Sequence, residues 1–170
     1  MKVSIVVAVA DNNAIGKEGN LLWRLPRDMQ YFKEGTWGHH VLMGRKTWDS
    51  IPPKFSPLPG RVNIIVTRQK GFVCEGCKVV QSVEEGIEFA RQCGEQELMV
   101  IGGGEIYRQA LAQTDKIYLT KVNHTFSDAD TFFPVLSQQE WTTVNSEMNM
   151  ADEKNEFDFE FVVLERKANT

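Results

Sequence analysis

Cysteine, charge of one sign, long apolar runs and low-complexity segments are all scarce in this chain, and each shortage closes off a class of protein. There are three cysteines in 170 residues, Cys74, Cys77 and Cys93. That odd set is no disulfide framework of a small secreted domain and fits a reducing cytoplasm. The formal net charge is only −4. It gives no general pull toward nucleic acid or anionic membranes, so an anionic ligand would have to be held by local basic groups. The apolar stretch Val3 to Ala10, preceded by Lys2, is far too short to span a bilayer. Asp11-Asn12-Asn13 ends it without a small-residue cleavage site. It is therefore read as a buried strand rather than a signal peptide or membrane span.

What is present is ordinary for a globular protein, with 42% hydrophobic and 25% charged residues. The length suits a single domain over residues 1–170. Short apolar runs recur at Val3 to Ala10, His40 to Met43, Arg61 to Thr67, Lys78 to Val80, Leu98 to Ile101 and Ile117 to Val122. Such runs read as strands covered on both faces. Helical segments lie between them at Pro26 to Glu34, Arg45 to Ile51, Val83 to Cys93 and Glu105 to Ala112. The interleaving predicts an α/β fold with a mixed, mainly parallel central sheet flanked by helices. Ser82-Val83-Glu84-Glu85 is a capping box that fixes one helix start. Near the end, Trp141 to Met148 and Phe157 to Glu165 predict an antiparallel strand pair. In the second of these, Phe157, Phe159 and Phe161 alternate with Asp158 and Glu160 as in a strand with one wet face. Four of the six prolines lie between Ile51 and Gly60, which is too many for helix or central strand and reads as a surface loop.

The strongest anomaly is Leu25-Pro26-Arg27-Asp28-Met29-Gln30-Tyr31-Phe32. Pro26 suits a first helical position. Helical spacing then puts Asp28 on the face of Leu25, Tyr31 and Phe32. A carboxylate on an apolar face must pair, sit at a pocket edge or take up a proton; the alternative is that Asp28 only favours the helix N-terminus electrostatically. Ile101-Gly102-Gly103-Gly104-Glu105-Ile106-Tyr107 follows a strand and opens a helix, where bare amides can hold a phosphate. It is not the G-x-G-x-x-G dinucleotide fingerprint, because Tyr107 stands at the last glycine position, and a flexible turn is the alternative. Met43-Gly44-Arg45-Lys46-Thr47-Trp48 is a second such junction, with two cations at the helix start that gain nothing from the helix dipole. Thr67-Arg68 adds a guanidinium after a third strand. Two glycine junctions with cations nearby suggest a dinucleotide carrying an extra phosphate, and NADPH would satisfy them.

Cys74-Glu75-Gly76-Cys77 is no obvious redox motif, since it lies in a loop rather than opening a helix, and no second ligand pair follows at zinc spacing. His39, His40 and His124 lack metal-like spacing, and no metal is expected. Trp48, Tyr107, Phe133 and Trp141 read as core.

Together, Ala8, Ile15-Gly16, Leu21 to Asp28, Met43 to Ile51, Pro59-Gly60-Arg61 and Ile101 to Tyr107 resemble the dihydrofolate reductase family in order and spacing along nearly the whole chain. The resemblance implies an NADPH-dependent oxidoreductase that reduces 7,8-dihydrofolate to 5,6,7,8-tetrahydrofolate, supports one-carbon metabolism and is sensitive to antifolate inhibitors. A cytoplasmic monomer without nucleic-acid or membrane partners is expected. The nearest enzyme rival is a pyrimidine reductase of riboflavin synthesis, disfavoured by Asp28 after Leu25-Pro26 and by Arg61; a non-catalytic NADPH- or folate-binding module is the alternative outside enzymes.

The resemblance makes Asp28 the sole ionisable group facing the pterin, supported by the Thr120 hydroxyl. It places Val6, Ala8, Met29, Tyr31, Phe32, Ser50, Ile51, Leu58, Ile101 and Tyr107 around the substrate, with Arg61 on its glutamate tail. Ala8, Ile15, Gly16, Asn20, Gly44, Arg45, Lys46, Thr47, Thr67 and Arg68 would contact NADPH, as would Ile101, Gly102, Gly103, Gly104, Glu105, Ile106 and Tyr107. Hydride would pass to C6 of the pterin while N5 gains a proton through water. Leu21 and Trp23 belong to a lid, Ile15 to Arg24, that excludes bulk water with help from the loop near Asp130. Two positions and one loop depart from common family patterns: Leu22 stands before Trp23 where proline is frequent, Ala129 stands where some bacterial members have glycine, and the Pro52 to Pro59 loop is longer than in the shortest bacterial forms.

Overall fold

Each apolar run becomes a strand of one sheet. The computed structural model describes residues 1–17 and 21–168. In chain order the strands are β1 (Lys2–Ala10), β2 (Ala14–Gly16), β3 (His40–Gly44), β4 (Val62–Val66), β5 (Lys78–Val80), β6 (Glu97–Gly102), β7 (Lys116–Val122), β8 (Thr131–Phe132), β9 (Trp141–Asn149) and β10 (Phe159–Arg166). The helices are α1 (Pro26–Thr36), α2 (Arg45–Ser50), α3 (Val83–Gln92) and α4 (Gly104–Ala110). Eight strands form one sheet in the order β5-β4-β3-β6-β1-β7-β10-β9. Pairings from β5 to β7 are parallel, while β10 runs antiparallel to both β7 and β9. The mixed, mainly parallel sheet ending in an antiparallel pair is the architecture read from the sequence.

Apolar side chains leave both faces. Val3, Ile5, Val7 and Val9 of β1 point to one side, where Val83, Ile87 and Ala90 of α3 and Ile106 and Ala110 of α4 cover them. On the other side, Val41, Met43, Ile65 and Met99 pack with Trp48 and Ile51, while Phe159 and Phe161 pack with Leu25 and Tyr31. Burial on both faces is why these strands show no polar alternation.

Boundaries shift where local polar contacts decide them. Ser82 Oγ accepts the Glu85 amide at 3.0 Å as the capping box requires, but the Glu85 carboxylate reaches the Gln81 amide at 2.9 Å rather than that of Ser82. Ser82→Ala should cost about 1 kcal/mol, seen as a lower Tm with unchanged activity. The proline-rich loop contains a 3-10 turn, Pro53–Phe55, and the helix expected to reach Ala112 becomes 3-10 at Leu111–Gln113. β10 begins at Phe159, not Phe157; the Phe157 ring instead stacks on His124, with centroids 4.5 Å apart. Its wet face does not persist either, because Phe161 and Val162 are both buried. The two-stranded sheet of β2 and β8 has no counterpart in the sequence reading. The cysteines, read as no disulfide framework, hold one link: Cys74 and Cys77 are joined, and Cys93 is free and exposed.

Candidate active site

Pro26 starts α1 without a side-chain cap from Leu25. The Arg27 amide in the first turn is met from far along the chain instead, by Asn155 Oδ1 at 3.1 Å, and just before the helix Glu156 Oε1 accepts the Arg24 amide at 2.9 Å. Asp28, in the first turn of the helix, directs its carboxylate to the sheet. Its Oδ1 accepts the Thr120 hydroxyl at 2.7 Å, so the carboxylate is held across the helix–sheet interface. Thr120 lies on β7 beside Ala8 of β1 and Phe161 of β10. Tyr31, one turn on from Asp28, stacks on Phe161 with centroids 4.0 Å apart.

Burial raises the pKa of Asp28 above its ordinary value, and the Thr120 hydrogen bond only partly opposes this. Burial likewise raises the pKa of Tyr31, with neighbouring Tyr118 and Asp28 adding to it. Tyr107 is pushed up by burial and then by Asp28; its hydroxyl donates to the Val6 carbonyl at 2.8 Å. Asp28 is therefore a largely buried carboxylate among aromatic side chains, with Tyr31 one turn away and Tyr107 within its electrostatic reach.

At the C-terminal ends of the parallel strands three loops come together, because Gly44 pairs with Val66 and Met43 with Gly102. Open α/β sheets bind ligands at such ends. A Cβ on Gly44 would lie 2.9 Å from Ile106 Cγ1, and one on Gly104 would lie 2.8 Å from Thr131 Cγ2. A side chain at either position would have to displace Ile106 or Thr131. Gly102 has φ +126°, and its peptide bond to Gly103 is cis. Arg45 sits over the Phe72 ring at 4.2 Å, pairs with Asp49 at 3.4 Å and donates to Gln69. Lys46 and Arg68 are exposed and make no ion pair among the described residues.

Arg61 donates to the Pro59 carbonyl at 2.9 Å and to the Thr36 hydroxyl at 3.1 Å, with its guanidinium 5.6 Å from the Trp37 ring. Burial lowers its pKa, though not enough to discharge a guanidinium. Ile51, Leu58 and Ile101 are half-buried around the cluster of Met43 and Met99. Ser50 is turned away, its hydroxyl donating to the Thr47 carbonyl at 2.6 Å. Met29 and Leu21 are 62% and 61% exposed and form the outer rim. Trp23 is buried with its ring 5.6 Å from Phe126. Asn20 lies outside the described residues. Gly16 accepts the Asp130 amide at 3.1 Å, and Lys17 pairs with Asp128 at 3.1 Å, so the expected lid and the loop near Asp130 do meet.

Two clefts, about 380 Å³ beside His40 and Arg61 and about 450 Å³ beside Phe133 and Trp141, do not contain Asp28. What distinguishes Asp28 is its burial and its Thr120 partner, not an enclosing cavity. Sequence reasoning missed Asn155, Glu156, Gln69 and Phe72. It named Phe161 only as part of a strand, although the Phe159–Phe161 alternation placed both rings on one face. Among the described residues no cluster of His, Cys, Asp and Glu could hold a metal, and no helix is long and apolar enough to cross a membrane.

Residues 2–166 match the family model for dihydrofolate reductase. The chain belongs to the dihydrofolate reductase family. It is 44% identical over 167 residues to dihydrofolate reductase of Haemophilus influenzae, covering 98% of this chain and all of that one. It is 40% identical over 165 residues to that of Bacillus subtilis, covering 97% and 95%. Among solved structures it superimposes with a TM-score of 0.89, at 31% identity and over 98% and 97% of the two chains, on dihydrofolate reductase from Enterococcus faecalis complexed with NADP(H) and RAB-propyl. The family resemblance read from the sequence thus holds over nearly the whole chain.

Proposed function

We propose that this member of the dihydrofolate reductase family reduces 7,8-dihydrofolate to 5,6,7,8-tetrahydrofolate with NADPH, using Asp28 as the one charged group that meets the pterin. The observation that carries this reading is the Asp28–Thr120 pair, a carboxylate fixed in an apolar groove with one oxygen committed at 2.7 Å and the other left for a ligand. A neutral pterin edge offering a ring N–H and an exocyclic amino group supplies the paired donors such a carboxylate lacks. Ala8, small and level with Thr120 in the sheet, leaves room for a flat ring. Tyr31, Phe32, Ile51 and Leu58 form apolar walls, and Arg61, held by Thr36 and Pro59, offers a planar fork to the carboxylates of the glutamate tail.

The residues present fit the cofactor. Gly44 and Gly104 let α4 and the β8 segment pack directly on the strand ends, with Ile106 and Thr131 where a Cβ would stand, and the α2 and α4 starts, which no side chain caps, offer amides to phosphates. Arg45, Lys46 and Arg68 stand on the ends of adjacent strands, beside Thr67, where an extra adenosine phosphate would find its counter-charge. NADPH supplies the hydride. The protein's own part is to bind and orient the pterin through Asp28, exclude bulk water with Trp23 and the lid, and leave N5 open to a proton delivered by water. The chain is proposed to act as a monomer in the cytoplasm, with antifolates competing at the same groove.

Following NADPH oxidation separately with dihydrofolate and with the deaminated pyrimidine substrate of riboflavin synthesis tests this reading. Turnover with dihydrofolate alone is expected. Turnover with the pyrimidine alone, or with neither substrate, would reject it in favour of the riboflavin-pathway reductase or a silent binding module. Arg68→Ala should reduce the preference for NADPH over NADH, as the ratio of kcat/KM values, roughly 5- to 10-fold; an unchanged ratio would remove Arg68 from the phosphate site.

A further inference from the structure

Cys74-Glu75-Gly76-Cys77 remained without a role in the sequence, and the fold gives it a specific shape. Glu75 and Gly76 form a turn between the loop after β4 and the start of β5. Gly76 has φ +78°, the left-handed value that a type II turn requires at its third position. The two cysteines occupy the first and fourth positions, with Cα atoms 5.9 Å apart. That lies within the range of disulfide-bridged pairs, so the turn alone brings both sulfurs within reach of a bond. A Cβ on Gly76 would stand 3.3 Å from Pro57 Cγ, which seats the turn against the proline-rich loop. Both cysteines and Phe72 pack on the same cluster of Val41, Met43, Ile65 and Met99. Phe72 in turn carries the Arg45 guanidinium on its ring at 4.2 Å. The loop also contributes Gln69, which accepts from Arg45.

We propose that Cys74 and Cys77 are a redox-modification site, a dithiol that low-molecular-weight disulfides oxidise to an intramolecular bond, and that its state governs how firmly Phe72 holds Arg45 beside the cofactor groove. One protein thiolate attacks the small disulfide, forming a mixed disulfide and expelling one small thiolate. The second protein thiolate then attacks the protein sulfur of that mixed disulfide and expels the other. The protein loses two electrons and two protons, and the small disulfide is reduced to two thiols. In the closed form the loop bearing Phe72 is tied at its β5 end, so the Arg45 platform is pre-organised for an anionic ligand; in the dithiol form that loop is freer and binding must order it. The coupling rests on the NADPH reading above, whereas the modification site does not.

The test uses the full chain with Cys93→Ser, which removes the remaining exposed thiol. Protein equilibrated across ratios of reduced to oxidised glutathione, quenched by alkylation and weighed by mass spectrometry should lose the mass of two hydrogens without an adduct at the oxidising end. Two alkylated thiols, or a persistent glutathione adduct, under the most oxidising mixture would overturn the site. NADPH titrations of the two forms should give a Kd roughly three- to tenfold weaker for the dithiol. A further double substitution, Cys74→Ser with Cys77→Ser, should hold affinity near the dithiol value at every ratio. Equal affinity in both forms would overturn the coupling. Ring closure in a protein that binds NADPH in neither form would overturn the cofactor reading, and the coupling with it, but leave the modification site standing.

Discussion

Asp28→Asn is expected to lower kcat/KM for dihydrofolate at pH 7 roughly 10- to 100-fold while leaving NADPH affinity within about twofold, the range that loss of a charge-assisted hydrogen bond implies. The amide still accepts from Thr120, so the helix should stay where it is, but its other arm carries a donor where the pterin needs an acceptor. Parallel steady-state kinetics and cofactor titrations check this, and activity within twofold of the parent would withdraw Asp28 from the substrate site.

The same substitution should act on stability in the opposite direction. Burial holds the folded-state pKa of Asp28 above its ordinary 3.8. A group with a raised folded pKa binds more protons in the native than in the unfolded state as pH climbs from that ordinary value to the raised one. Stability then falls across that window and stays at its lower level above it. Asparagine has no such charge to bury, so the variant should unfold at a higher Tm than the parent at pH 7, with the difference shrinking as pH drops toward 3.8. Thermal scans at both pH values measure this directly. A gain in stability together with a loss of activity would mark Asp28 as a group kept for the substrate at the expense of the fold.

The sheet was legible because burial on two faces writes itself locally: every apolar run from Val3 to Val122 became a strand, and Ser82 and Glu85 announced α3 within four residues. The groove was legible only in part. Helical spacing isolated Asp28 on an apolar face, but nothing local identifies Thr120, 92 residues away, and it entered solely through family resemblance. Asn155 is 128 residues from the Arg27 amide it accepts. Its polar loop resembles any other until the fold brings it to the start of α1, where it supplies the acceptor that Leu25 does not. Met29 and Leu21 show the converse limit, since resemblance set them in the site and the fold leaves them mostly exposed at its rim. The Cys74–Cys77 turn was visible as a glycine-containing loop, yet its connection to Arg45 runs through Phe72, a ring that local pattern gave no reason to single out.

Gly102→Ala should lower Tm by roughly 2 to 12 °C, from the 1–3 kcal/mol that a non-glycine residue costs in such backbone and the shift expected for a chain of this length. Gly102 has φ +126°, which L side chains rarely adopt, and an added Cβ would lie 3.2 Å from the Tyr107 hydroxyl and 3.4 Å from its ring. Tyr107 has little freedom to yield. It is buried, its hydroxyl is held by Val6 at 2.8 Å, and its ring meets Phe133 at a centroid distance of 5.3 Å. Strain at this junction would displace the amides that open α4, so NADPH affinity should fall with Tm, by about tenfold or more. Gly35→Ala is the matched control, because Gly35 lies near the end of α1 with nothing within 4 Å of its added Cβ. There the same methyl group should raise stability by roughly 0.5–1 kcal/mol and leave NADPH affinity alone. If Gly102→Ala unfolded within a degree of the parent and bound NADPH normally, the glycines of this junction would not be there for close backbone approach, and the phosphate site would have to be sought elsewhere on the strand ends.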